Sequence, residues 1–154
     1  MVLFLIYLMI LFIDLKHFII PDILNYSIIV LAIIKNFLPD LDLIFTQDLI
    51  FSIVGGISGY LSIWLIIYLY KQVRKKEGMG LGDAKLLAVI GFWFGWISIP
   101  FVIFLSSTIA LIYVIPNLLN KSKKLSSQIP FGPHIILATI IFVIFKDSFL
   151  KILI

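Results

Sequence analysis

The sequence predicts an all-α fold: a polytopic membrane protein, one domain over residues 1–154, built as a bundle of about six transmembrane helices. Two observations carry this. Hydrophobic residues make up 62% of the chain and charged residues only 13%, against about 45–50% and about 25% in a soluble domain. Too little polar surface remains to cover a water-soluble sphere. Second, the apolar residues come in long unbroken runs rather than alternating, which argues against a transmembrane barrel. The absence of cysteine excludes disulfides, thiolate metal sites and a cysteine nucleophile.

The elements follow from apolar runs and their breaks. The first helix is expected over Met1–Ile20. Its unbroken apolar part, Met1–Ile13, would reach only about 20 Å, short of a hydrocarbon core of about 30 Å, so the helix must continue past Asp14. Pro21 then ends it. The second runs from Ile23 to Leu38, before Pro39, and the third from Leu49 to Tyr70. Gly78 to Gly82 reads as a loop opening the fourth helix, Ala84–Ile99, which Pro100 stops. The fifth spans Phe101–Leu119. A polar stretch from Lys121 to Pro133 leads to the sixth, His134–Phe145 with some tail.

The one ambiguity is whether Ala84–Leu119 forms two spans or one kinked helix. Two spans put Lys16, Lys71, Arg74, Lys75, Lys76, Lys85, Lys121, Lys123 and Lys124 on one side, and only Lys35, Lys146 and Lys151 on the other. Merging them narrows the split to eight to four. The positive-inside rule therefore prefers six spans, with the basic loops cytoplasmic and Asp40, Asp42 and Asp48 on the opposite side. No charged block precedes the first run and no small-residue cleavage site follows it, so a cleaved signal peptide is not expected.

Two acids stand out because an ionisable residue at the edge of a membrane helix is expensive and marks a functional site by default. Asp14 is expected near the cytoplasmic end of the first helix and Asp83 at the cytoplasmic start of the fourth. The six-span topology brings both to one face. Two carboxylates sharing a site do not both ionise cheaply, so one proton is shared between them. Such a pair can activate water with one member and protonate a leaving group with the other, which is peptide hydrolysis without metal or covalent intermediate. Activity should then be bell-shaped in pH. Just before Asp83, Gly78, Gly80 and Gly82 permit φ > 0 and the close approach of another backbone, such as an extended substrate.

The segment Glu77-Gly78-Met79-Gly80-Leu81-Gly82-Asp83-Ala84-Lys85-Leu86-Leu87 resembles the G-x-G-D signature of the type IV prepilin peptidases, aspartic peptidases of the bacterial inner membrane. Further matches, in family order, are Ile13-Asp14-Leu15 with Ile20-Pro21-Asp22, the block Gly55–Ser62, Gly91–Trp96 and Ile129-Pro130-Phe131-Gly132-Pro133. The resemblance implies cleavage, at the cytoplasmic face, of the short basic leader of prepilins or pseudopilins of secretion and competence systems. The family's catalytic aspartates map onto Asp14 and Asp83, and no cofactor or metal is implied. Long members begin with a cysteine-bearing segment and N-methylate the new terminus using S-adenosylmethionine. This chain has no cysteine, so the expectation is a peptidase core without methylation.

Competing readings attach to the same residues. Asp14 could be an interfacial carboxylate neutralised by Lys16 or His17, and Asp83 a helix N-cap. Asp22 reads first as a cap for the second helix, while Asp22 and Glu77 are the candidates to meet a basic leader. Lys85, two residues from Asp83, is expected to snorkel to the headgroups. The spacing of Gly55, Gly59, Gly91 and Gly95 suits close helix packing. Lys71, Arg74, Lys75 and Lys76 set topology and attract anionic lipid. Fourteen Phe and three Trp face the lipid bilayer or pack helices; they are not a platform for nucleic acid. The alternative function is a non-enzymatic transporter or assembly scaffold whose carboxylates bind a proton or cation.

Overall fold

The computed structural model describes residues 2–37, 49–74, 80–119 and 130–153. They form α1 (Val2–His17), α2 (Asp22–Phe37), α3 (Leu49–Arg74), α4 (Leu81–Phe94), α5 (Ser98–Leu119) and α6 (Gly132–Leu153). No strand occurs among the described residues. Over the described residues the fold is all-helical with six helices, as the apolar runs predict.

Several boundaries differ from the sequence reading, each for a local reason. α1 stops at His17 rather than Ile20, because Phe18 turns to φ 57° with its N–H on the Asp14 carbonyl at 2.9 Å. A left-handed residue just past the last turn ends a helix. α4 stops at Phe94 rather than Ile99, ended by Gly95 at φ 82°, whose N–H reaches the Gly91 carbonyl at 2.7 Å. Pro100 therefore breaks nothing. It lies in the first turn of α5, where the missing N–H would have had no helical partner. Gly82 belongs to the first turn of α4 rather than to a loop, and α6 begins at Gly132 and runs well past Phe145.

α4 is the inner helix. It packs on α3, α2, α5 and α6, and Ala84, Leu86, Leu87, Val89 and Ile90 are almost wholly buried. Its tightest partner is α3. A Cβ at Gly55 would run into the Gly91 carbonyl, and one at Gly59 into the backbone of Leu87. The spaced glycines thus serve the close packing that their pattern predicts, backbone against backbone. Phe142 of α6 closes the other side, edge-on to Phe94 at 6.3 Å and 6.1 Å from Phe101.

Among the described residues, two helices are long and apolar enough to cross a membrane, Leu49–Val73 and Ser98–Ile115, and most of their apolar length is not buried within the bundle. Large apolar side chains cover the outer surface, among them Phe12, Ile50, Val73, Phe104 and Ile144. An apolar exterior this extensive suits contact with a membrane or with another protein. By contrast α1 and α2, with 16 residues each, and α4, with 14, reach about 21–24 Å.

The helices alternate in direction. Gly55 meets Gly91 while Gly59 meets Leu87, so α3 and α4 are antiparallel. Tyr113 beside His134, with Phe101 beside Phe142, makes α5 and α6 antiparallel too. The ends of α1 and α5 and the starts of α2, α4 and α6 consequently share one face.

The glycine contact yields a stability prediction. Gly91→Val forces a branched side chain against the Gly55 carbonyl and should cost about 1–3 kcal/mol or more, as overpacking does. A lower thermal midpoint of the detergent-solubilised protein is the expected readout.

Candidate functional site: two carboxylates at a four-helix junction

α1 packs on α2 and α6, and α2 and α6 both pack on α4. These four helices ring one junction at the shared face. Asp14 enters it from the last turn of α1 and Asp83 from the first turn of α4; they are 4% and 8% exposed. Their carboxylates are close enough for the charge of Asp14 to act on Asp83. Residues far apart in sequence are thus brought together.

Asp83 is the third residue of α4. Gly80 occupies the N-cap, with φ −79° and ψ 146°, and makes no side-chain cap bond. The N-cap reading of Asp83 is therefore corrected: it stands inside the first turn of α4, buried. It still benefits from the partial positive charge of the helix N-terminus. A Cβ at Gly82 would sit 3.3 Å from the Ile20 side chain, which would have to give by a few tenths of an ångström, whereas a Cβ at Gly80 would meet nothing nearer than 3.9 Å. Glu77 and Gly78 lie outside the described residues.

The neighbours of Asp14 are not those next to it in sequence. Lys16 and His17 are exposed. The carboxylate instead lies against the start of α6. A Cβ on Gly132 would collide with its Oδ2 atom, and the charge of His134 reaches it. His134 is 7% exposed. Its Nδ1 lies 3.0 Å from the Pro130 carbonyl, so that nitrogen carries a proton and donates it to the carbonyl. Phe131 stacks on the ring and Tyr113 meets it edge-on at 5.6 Å. His134 was singled out only as the start of a helix. The signal that could have found it is its place directly after Pro130-Phe131-Gly132-Pro133.

Asp22 opens α2, and both its carboxylate oxygens accept from Lys85 Nζ at 2.8 Å. The sequence reading, which sends Lys85 away from Asp83, does not foresee this partner: both residues stand near the start of a helix on the same face, on adjacent α2 and α4. With side chains 39% and 49% exposed, the bridge contributes little stability, about 0–1 kcal/mol, but it occupies Asp22. Among the described residues, no group of three or more His, Asp or Glu side chains gathers where a metal could be held.

The chemistry open to this site is that of two buried acids facing each other among apolar helices. One can accept a proton while the other gives one. Comparisons with known proteins agree on a family. A model of the type IV leader peptidase family matches residues 1–115, which include both aspartates. A protein of Aeromonas salmonicida named prepilin leader peptidase/N-methyltransferase is 36% identical over 137 residues, 89% of this chain and 45% of its own. Like-named proteins of Pseudomonas aeruginosa and Legionella pneumophila are 37% and 31% identical, over 88% and 91% of this chain and 45% and 47% of theirs. The chain thus spans less than half the length of these relatives. No solved structure matches it. The chain belongs to the type IV leader peptidase family.

Proposed function

We propose that this protein is an aspartic endopeptidase that removes the short basic leader from prepilins or prepilin-like secretion and competence proteins. The observation that carries the reading is the meeting of Asp14 and Asp83 at one junction in a member of a leader peptidase family. Its relatives' name supports the substrate class. That name also includes N-methyltransferase; the reading here concerns the peptidase half.

The bundle lies in the bacterial inner membrane, all six helices embedded, with the junction at the cytoplasmic face. Lys16, Lys71 and Lys85 all belong to the helix ends at that face, the side that the positive-inside rule assigns to the cytoplasm. The leader lies extended across the junction. One carboxylate takes a proton from water as the oxygen attacks the scissile carbonyl, and the other supports the tetrahedral intermediate and protonates the departing nitrogen. The proton taken from water then restores the pair for the next turnover. Burial strengthens both transfers, because neither carboxylate is solvated by bulk water.

A basic leader residue that engages Asp22 exchanges with Lys85, a swap of like charges that leaves the local balance unchanged. An exposed pair is weak enough to permit it.

Three outcomes follow. Asp14→Asn and Asp83→Asn should each lower cleavage of a reconstituted prepilin by at least about 100-fold while the protein still folds; cleavage retained in either variant refutes the two-carboxylate mechanism, and its loss argues against a transporter or scaffold. Gly132→Ala places a methyl group where Asp14 Oδ2 lies. A carboxylate can swing aside at small cost in stability, so the thermal midpoint should barely move while kcat falls about 10- to 100-fold from misplacement. Finally, Asp22→Lys should weaken cleavage in proportion to the number of basic residues in the leader; steady-state rates on leaders of graded charge measure this, and equal losses on all of them would remove Asp22 from leader recognition.

A further inference from the structure

We infer that Asn25 binds the main chain of the substrate beside the scissile bond; the inference rests on the peptidase reading above. Asn25 heads the buried stripe of α2, followed by Ile28, Ala32 and Lys35 at helical spacing, and is 2% exposed. Both polar atoms of its side chain, Oδ1 and Nδ2, are buried with no hydrogen-bond partner among the described residues. Tyr7 Oη, deeper along α1, and Asp14 Oδ2 share this condition, but three other buried polar side chains do not. The hydroxyls of Ser98, Ser106 and Thr139 each donate to a carbonyl of the preceding turn, at 2.7, 3.0 and 2.8 Å. A buried amide left unmade is costly, more so where no water reaches it.

The position of Asn25 gives this a meaning. Asn25 lies three residues from the start of α2 and Asp14 three from the end of α1, each about 4.5 Å from the shared face, while Asp83 lies about 3 Å from the start of α4. The three residues are therefore at one depth. α2 is also one of the four helices that ring the junction, packed on both α1 and α4. Asn25 stands one helical turn below Asp22, and Asp22 reaches α4 through Lys85. The face of α2 that carries Asn25 is thus turned towards α4 at that level. Asp14 Oδ2 is the other unpartnered polar atom at this depth.

A primary amide offers two donors and one acceptor. An extended peptide presents N–H and C=O groups of the same kind in alternation, and inside an apolar bundle it has few other partners for them. One amide can take both a C=O and an N–H of the same strand, which fixes the strand's register over the carboxylates. Because it reads main chain, the contact is indifferent to the side chains flanking the cut. Asn25 is in these terms a positioning residue.

The test uses the full chain in liposomes of bacterial phospholipid and a peptide spanning a prepilin leader and the apolar residues after it. Asn25→Leu removes the amide while keeping volume. It should raise KM about tenfold with a smaller change in kcat, and leave the unfolding midpoint equal to or above that of the native protein, since no native hydrogen bond is lost. Asn25→Ser should recover part of the affinity. Methylating the substrate's main-chain nitrogens one at a time should reveal one position whose loss equals that of Asn25→Leu and adds nothing to it. A lower midpoint in Asn25→Leu would mean that the free protein already satisfies the amide, and would overturn the inference. So would an unchanged KM, or methylation effects identical in both proteins. If the native protein leaves every such peptide uncut, the peptidase reading fails and this inference with it.

Discussion

The backbone-to-backbone contact between α3 and α4 governs the rest of the bundle. Gly55 and Gly91 let the two helices approach until a Cβ on either would strike the other's carbonyl. Where the surroundings are as apolar as the side chains, such packing replaces hydrophobic burial as the force that joins helices. It draws α4 into the centre, where α2, α5 and α6 cover it. A helix of 14 residues could not hold a fixed place by spanning alone. Held from every side, it carries Asp83 to a defined depth.

The second constraint is electrostatic. Two carboxylates among apolar helices must be compensated or one must be neutral. The bundle compensates by geometry rather than by ion pairs: Asp83 stands in the first turn of α4, and Asp14 faces the start of α6 with Gly132 against it and His134 within range. The lysine two residues from Asp83 lies on a different face of α4 and pairs with Asp22. Lys85 thus plays no part in balancing the two acids. Gly132 has a matching role, since only a residue without Cβ leaves room for the Asp14 carboxylate.

Much of this was legible in the chain. Apolar runs separated by prolines and glycines are long signals averaged over many residues, and they located six helices. The spacing of Gly55, Gly59, Gly91 and Gly95 pointed to close helix packing, which the structure places between α3 and α4. Asp14 and Asp83 were conspicuous because charge is so scarce around them. The misses were local or long-range. Pro100 looks like a stop, but a proline in a first turn is harmless, and the stop is Gly95 with its positive φ. Asn25, a polar residue one turn into an amphipathic-looking helix, gives no sign of lying on the buried face. His134 reads as a helix start until α1 is laid beside it.

The sequence by itself determined the helical class, the membrane-like exterior and the two acids, because these depend on composition and on contacts between near neighbours. Only the tertiary structure decided which groups surround each acid. Lys16 and His17 follow Asp14 closely in sequence yet are exposed, while Gly132 and His134, more than a hundred residues away, form its wall. The reason is physical: a helix sends successive side chains to different faces, so proximity along the chain says little about the face that meets a partner. Which partner arrives there is set by the packing of whole helices, here begun by two glycines far from either carboxylate.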